Sequence, residues 1–379
     1  MQSVSDGPAT AAQLVDALRE AGQAGTTVRF RGGGTKLAWG GCGPEPEREL
    51  ATVGLDRIVE HNAGDLTAVL EAGVPLERAQ AAFAEAGQML ALDPPAGDAT
   101  VGGVVAAADS GPLRSRYGGP RDLVLGMTVA LSDGTVARSG GKVIKNVAGY
   151  DLAKLFSGSL GTLGAILELS VRLHPLPEAT ATIAAGSPEP GALGRAALAL
   201  SHCPLEHAGL DLRFGGGEGA VLMRFAGAEP LKQAEAAARV LHEAGLDGSV
   251  VEDDEAAWRR QREGQRSANG SIVRVSARQT TLPKVMEQAR RHGARLVGRV
   301  PLGLCWLALE DRSAGEAATA VEELRRELAP HSCSLLDSPS ELRGRVDPRG
   351  PRDDGELLLT QRVKQSFDPA GICSPGVVV

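Results

Sequence analysis

The sequence predicts an α+β chain of two domains. Three observations carry that expectation: a length of 379 residues, short strand and helix patterns that alternate through both halves, and a proline pair, Pro175 and Pro177, that breaks the rhythm near the middle. One hydrophobic core rarely organises more than ~250–300 residues, so length alone favours division. The expected limits are 1–176 for a first domain, 177–345 for a second, smaller α+β domain with an antiparallel sheet and helices, and 346–379 for a helix and tail that return to the first.

Thr10-Ala11-Ala12-Gln13 has the spacing of a capping box, and Leu14, Val15 and Leu18 mark one face of a helix ending near Gly22. A strand about Val28 and Phe30 leads into Arg31-Gly32-Gly33-Gly34-Thr35. Leu66 to Ala72 reads as the next strand, and Pro75 then opens a helix with Leu76, Ala79 and Phe83 at helical spacing that closes at Gly87. Leu123 to Leu131 is apolar enough for a buried strand, and Asp133-Gly134 supplies a tight turn before Val136. Leu167, Leu169, Val171 and Leu173 alternate with Glu168, Ser170 and Arg172, the pattern of a strand with one wet face. Beyond Pro177, strands are expected at Val221 to Phe225, Ile272 to Val275 and Leu304 to Leu309, with helices over Leu231 to Glu243 and Lys284 to Arg291. Asp347 to Asp354 is a polar loop, and a last helix carries Leu359, Val363 and Phe367 on one face before Asp368-Pro369-Ala370-Gly371 stops it.

Composition narrows the function classes. With 42% apolar residues, 23% charged and 3% aromatic, the chain has an aliphatic core, and its net charge of −7 without basic blocks argues against nucleic-acid binding. No apolar run approaches the ~20 residues that span a bilayer, so a cytoplasmic protein is expected, associated with a membrane only through partners. Cys42, Cys203, Cys305, Cys333 and Cys373 are far apart and never in C-x-x-C spacing. The seven histidines are scattered: His202 and His207 lie five apart and His331 is near Cys333, which is no recognisable ligand set, so no metal site is expected.

Two glycine runs carry the chemistry. Glycine is 49 of 379 residues, so one cluster means little, but Gly158-Ser159-Leu160-Gly161-Thr162-Leu163-Gly164 repeats the character of the first run far downstream. Glycine lets backbone approach a ligand, and successive amide N–H groups in such turns hold phosphate oxygens. Two such turns suit a long, pyrophosphate-bearing molecule. Arg31 brings fixed charge or pairs with a carboxylate, and Thr35 adds a hydroxyl. Thr100 and Gly102-Gly103 open a helix running through Ala108, whose first amides and dipole would face an anion. A nicotinamide fold is the rival, yet no G-x-G-x-x-G sits between a first strand and its helix with an acidic residue following. Arg274 and Arg278, in Ile272-Val273-Arg274-Val275-Ser276-Ala277-Arg278, are read either as binders of a substrate carboxylate or as one wet strand face. Trp258, Trp306 and Arg299 are candidates to line an interface.

Between the runs stand Asp93-Pro94-Pro95, Thr100-Val101-Gly102-Gly103, Arg116-Tyr117-Gly118, Asp122-Leu123-Val124-Leu125-Gly126 and Lys145-Asn146-Val147-Ala148-Gly149-Tyr150-Asp151-Leu152. In that order the chain resembles the FAD-binding domain of the vanillyl-alcohol-oxidase and p-cresol-methylhydroxylase (PCMH) type, found in FAD-linked oxidases. The resemblance implies a two-subdomain PCMH-type domain followed by a cap or substrate domain. It implies cofactor contacts at Arg31, Gly32, Gly33, Gly34, Thr35, Pro94, Thr100, Gly102, Gly103, Tyr117, Gly118, Gly158, Gly161, Gly164 and Ile166. Covalently flavinylated members often carry His where this chain has Thr35, so the FAD is expected to be noncovalent.

Over roughly residues 25–178 the chain is similar to FAD-binding subunits of bacterial glycolate oxidases, including Leu160 where many relatives of the wider family have Glu. Asp368-Pro369-Ala370-Gly371-Ile372-Cys373-Ser374-Pro375-Gly376 resembles the closing segment, with Ser374 where Asn is frequent. Two departures stand out: the H-x-G-D-G-N-x-H metal motif of hydroxy-acid oxidisers is missing, and Gly298-Arg299-Val300-Pro301 replaces a Trp-Gly-Gly-Ala-Gln-Arg stretch. What the resemblance implies is FAD-dependent oxidation of glycolate or a related 2-hydroxy acid to glyoxylate or the 2-oxo acid. Electrons would leave for an iron–sulfur subunit, in a complex with a larger FAD-linked oxidase subunit. A stand-alone dehydrogenase with an unfamiliar base, and an FAD-binding relay or assembly subunit that turns over no substrate, are the other readings.

Overall fold

The computed structural model describes residues 8–95, 97–142 and 151–377, so the Lys145–Tyr150 part of the motif above lies outside the described residues. The chain forms two compact units. One gathers Met1–Ser110, Tyr117–Leu176 and Arg352–Val379, and the other gathers Gly111–Arg116 and Pro177–Pro351. A strictly linear division misses Gly111–Arg116, a short segment that groups with residues beyond Pro177.

In the first unit, Thr10 caps the helix Ala11–Ala24: its hydroxyl accepts from the Gln13 N–H at 3.3 Å while the Gln13 side-chain oxygen accepts from the Ala9 N–H at 2.9 Å. Leu14 and Leu18 on its inner face are fully buried, each contributing roughly 1.5–3 kcal/mol by leaving water. The helix passes Gly22 and stops at Gly25, which has φ +70°. Gly22 has a different reason to be glycine, since a Cβ there would stand 2.1 Å from the Ser132 carbonyl oxygen.

That helix packs beside a short parallel pair, Val28–Arg31 with Arg48–Ala51. A five-stranded antiparallel sheet follows in the order Ile58–Asn62, Thr67–Glu71, Ala165–Arg172, Val124–Ala130, Val136–Gly140. In its central strand Leu167, Leu169 and Val171 are buried while Glu168 and Ser170 are half-buried and Arg172 exposed, the alternation the sequence shows.

The closing segment belongs to the same unit. The Val28 N–H donates to Ile372 O and the Ser374 N–H to Val28 O, both at 2.8 Å. Lys364, on the helix Asp354–Phe367, donates to Thr162 O at 2.7 Å, Cys373 O at 2.6 Å and the Asp368 carboxylate at 2.5 Å. One ammonium thereby ties the second glycine run to the tail.

The second unit is an eight-stranded antiparallel sheet in the order Gly248–Val250, Thr180–Gly186, Glu218–Ala226, Gly209–Gly215, Arg295–Arg299, Leu304–Leu309, Ser271–Ser276, Ser332–Leu335. One face carries Leu210, Leu212, Met223, Val273 and Leu307 against the helices Pro190–His202, Pro230–Glu243, Leu282–Arg291 and Ala314–Leu328. Strand alternation sends Asp211, Arg213, Arg274, Arg299 and Trp306 to the other face, which receives the helix Asp254–Glu263. Trp258 of that helix is core and no interface residue: it is buried over Gly209 and its indole N–H donates to the Thr182 hydroxyl at 2.7 Å. Among the described residues, no helix is long and apolar enough to cross a membrane and no group of His, Cys, Asp and Glu could hold a metal ion.

Candidate functional site

The first glycine run leaves the strand Val28–Arg31 and immediately meets the segment around Thr100. A Cβ on Gly32 would stand 2.2 Å from the Thr100 hydroxyl oxygen, and one on Gly33 would stand 1.8 Å from the Asp98 carbonyl oxygen. Two stretches far apart in sequence are thus packed in close contact, Gly33 against backbone and Gly32 against the Thr100 side chain, at separations only glycine permits. They line a cavity of the first unit, about 880 Å3 counting its open mouth, together with Ala72, Ala106 and the second run.

Of the residues expected at the cofactor, Gly32, Gly33, Gly34, Thr35, Thr100, Gly102, Gly103, Gly161, Gly164 and Ile166 line this cavity. Arg31, Pro94, Tyr117, Gly118 and Gly158 do not. Tyr117 rests its ring on His174 with centroids 4.7 Å apart. Arg31 takes the carboxylate alternative: its guanidinium pairs with Glu49 at 3.1 Å, on the neighbouring strand. The lining residue is Arg29, two positions earlier on the same face, which also bonds Glu49 at 3.2 Å and keeps a buried Nε without a partner among the described residues.

The helix expected to aim its amides at an anion does not. Thr100 does cap the helix Val101–Ala107, but the Val101 N–H donates to Val74 O at 2.9 Å, Gly102 to Ala72 O at 2.8 Å and Gly103 to the Thr100 hydroxyl at 3.2 Å. Two backbone carbonyls and the cap hydroxyl have filled the donors a diphosphate would need. Gly102 is small for the same packing, since a Cβ on it would stand 2.6 Å from that of Ala72.

Donors remain elsewhere on the wall. The amides of Gly33, Gly34 and Gly161 meet no acceptor among the described residues, and the Ser159 hydroxyl is buried and equally without a partner. An orphaned buried hydroxyl costs roughly 1–3 kcal/mol, which a ligand oxygen would recover. Lys36 was missed by the sequence reading: its ammonium reaches Asp109 at 3.1 Å with both side chains 6% exposed, and donates to the Thr35 hydroxyl at 3.0 Å. Glycine amides, hydroxyls and one buried ammonium suit the oxygens of a diphosphate, so the residues present fit a dinucleotide.

On the second unit, Arg274 is half-buried on the strand Ser271–Ser276, with Trp306 as its cross-strand neighbour. Arg299 is 1% exposed, its guanidinium 4.4 Å from the Trp306 ring centroid and its Cα opposite Asp211. Arg278 stands outside that strand, as the residue before the turn Gln279–Thr281.

Comparison with known proteins gives this geometry its context. Residues 6–140 match the family described as FAD binding domain. The glycolate oxidase subunit GlcE of Escherichia coli is 42% identical over 128 residues, 33% of this chain and 37% of that one. The glycolate oxidase subunit GlcD of Bacillus subtilis is 40% identical over 157 residues, 41% of this chain and 33% of that one. A D-lactate dehydrogenase of Archaeoglobus fulgidus is 35% identical over 168 residues, 44% of this chain and 38% of that one. The chain therefore aligns with well under half the length of these curated relatives. Among solved structures, an alkyldihydroxyacetonephosphate synthase superposes with a TM-score of 0.71 over 97% of this chain and 75% of that one, at 15% identity, a likeness of fold.

Proposed function

We propose a function from the premise that residues 6–140 belong to the FAD binding domain family and that FAD is the cofactor. The chain is an FAD-dependent oxidoreductase component that takes part in oxidising a 2-hydroxy acid of the glycolate or D-lactate class to its 2-oxo acid. The observation that carries this reading is the cavity itself, where two glycine runs and Ser159 present unengaged donors beside the buried ammonium of Lys36. Three relatives whose names specify glycolate oxidase subunits and D-lactate dehydrogenase support the substrate class.

Gly33, Gly34, Gly161 and Ser159 would hold the diphosphate, Lys36 would offset its charge, and Thr35 leaves the attachment noncovalent. When bound, FAD supplies two-electron redox chemistry, taking the hydride equivalent lost from the hydroxyl-bearing carbon. The hydroxyl proton would leave to solvent water as the carbonyl forms. Arg274, backed by Trp306, would fix the substrate carboxylate. The second unit would then serve as the substrate or cap domain. The word subunit in two relatives' names supports a complex; on this reading electrons would leave to an iron–sulfur subunit, beside a larger FAD-linked oxidase subunit.

An anaerobic absorbance spectrum of the purified full chain, before and after adding glycolate and D-lactate, tests this. A yellow protein whose flavin bleaches without partners supports turnover on this chain alone. Bleaching only after the companion subunits are added assigns turnover to the complex, with this chain as its relay. A chain that refuses FAD overturns the proposal.

A further inference from the structure

The second unit holds a cleft that none of the chemistry above uses. It encloses about 1550 Å3 counting its open mouth, and it is lined from the strands Gly209–Gly215, Arg295–Arg299 and Leu304–Leu309 and from the helix Asp254–Glu263. Val297 and Ala308 give it an apolar floor.

Three arginines line it, and they are not equivalent. Arg295 is spoken for by an ion pair with Glu310. The side chains of Arg213 and Arg260 form neither an ion pair nor a hydrogen bond among the described residues. Arg213 is half-buried on its strand, and burial first, then the neighbouring charge of Arg260, push its guanidinium below the usual arginine range, with Glu218 only partly offsetting them. Glu218 and Glu263 also line the cleft, both exposed and neither in an ion pair with Arg213 or Arg260. Keeping two like charges close, one of them partly withdrawn from water, is unfavourable for the empty protein.

A second observation concerns a residue that lines the same cleft. Gln261 is 1% exposed, and its amide nitrogen donates to Asp211 at 3.3 Å and to Leu212 O at 3.1 Å, which fixes which end is oxygen. That oxygen is buried and receives no donor among the described residues. An acceptor without a donor, beside two cations without an anion, describes one kind of guest.

We infer that this cleft binds a small organic anion, a carboxylate or phosphate monoester, clasped between Arg213 and Arg260 and donating a hydroxyl or amine hydrogen to Gln261. None of these residues lines the cavity of the first unit. The inference therefore stands or falls separately from the flavin reading.

Calorimetric titration of the full chain with FAD added tests it, using glycerol 3-phosphate and 3-hydroxybutyrate, neither of them a 2-hydroxy carboxylic acid, as probes to separate the phosphate and carboxylate sources. One probe is expected to bind saturably at one site per chain. Arg213→Met and Arg260→Met should each weaken it roughly tenfold, and Gln261→Leu should weaken it less. Without ligand, Arg213→Met should melt at or above the wild-type temperature, because it removes an uncompensated cation; a structural arginine would melt lower. Arg260 is exposed, so Arg260→Met keeps the test alive should Arg213→Met fold poorly. No saturable binding of either probe up to about 10 mM, or equal binding by wild type and Arg260→Met, overturns the site.

Discussion

The two units place ligand-facing groups by opposite means. The first builds its cavity from backbone: Gly32 and Gly33 stack on the Thr100 segment at separations no side chain would survive, and the available donors are largely amides. The second unit displays Arg213, Arg274, Arg299 and Trp306 on one face of a sheet, where nothing about the backbone is unusual. A backbone-built site writes itself into the sequence, because replacing glycine there is sterically forbidden. A side-chain-built site does not, because an arginine on a strand reads the same whether it meets a ligand or water.

The sharpest way to break this contrast is Gly33→Val. Its Cβ would fall 1.8 Å from the Asp98 carbonyl oxygen, which is backbone and cannot swing aside. The chain should purify without flavin colour and lose roughly 1–3 kcal/mol of stability from overpacking. Gly97→Ala is the control, since a Cβ at Gly97 meets nothing within 4 Å, and it should stay yellow. Equal flavin content in both variants would show that the packed turn does not shape the cavity.

The same contrast explains what could be read in the sequence. The glycine runs, the capped first helix and the alternating strand Ala165–Arg172 were legible because each rests on local constraint. The engagement of the Val101 and Gly102 amides was not, because their acceptors, Val74 O and Ala72 O, come from another segment. Arg29 and Arg31 share a strand face, yet only the position of Glu49 on the adjacent strand decides where each points. Lys36 reads as a solvent residue until Asp109 arrives beside it. The helix Ala314–Leu328 was the readable miss: Ser313 and Glu316 form a capping box visible at the usual spacing.

Lys36→Met probes where the first unit does depend on a side chain. Removing one member of a buried pair strands the other, so the variant should lose about 3–5 kcal/mol of stability. Pairing it with Asp109→Asn should restore the fold but leave FAD bound roughly tenfold more weakly, measured by quenching of flavin fluorescence. Wild-type affinity in that folded double variant would confine the pair to a structural role. Arg274→Ala should act on the other unit alone, raising KM for the hydroxy acid roughly tenfold while flavin content stays unchanged. A fall in flavin content instead would remove Arg274 from substrate binding.

The smallest expected effect concerns Asp211, buried on the second unit's sheet with one oxygen accepting from Gln261 at 3.3 Å and the other without a partner. Burial pushes its carboxyl up to about 7, while the charge of Arg299 and the Gln261 hydrogen bond pull it back only in part. The adjacent Cys305 thiol is pushed to about 12 by burial and by Asp211, so Asp211 is the member of this cluster that titrates near neutrality. In the unfolded chain the same carboxyl ionises in the ordinary acid range, so folding favours the protonated form. The associated stability is fully present below the unfolded value and is lost as pH rises through about 7. Urea melts followed by tryptophan fluorescence should therefore show Asp211→Asn gaining stability relative to wild type between about pH 5 and pH 8. Identical pH slopes would mean that Arg299 neutralises Asp211 in full, and the sheet face would then carry its charges as a closed pair.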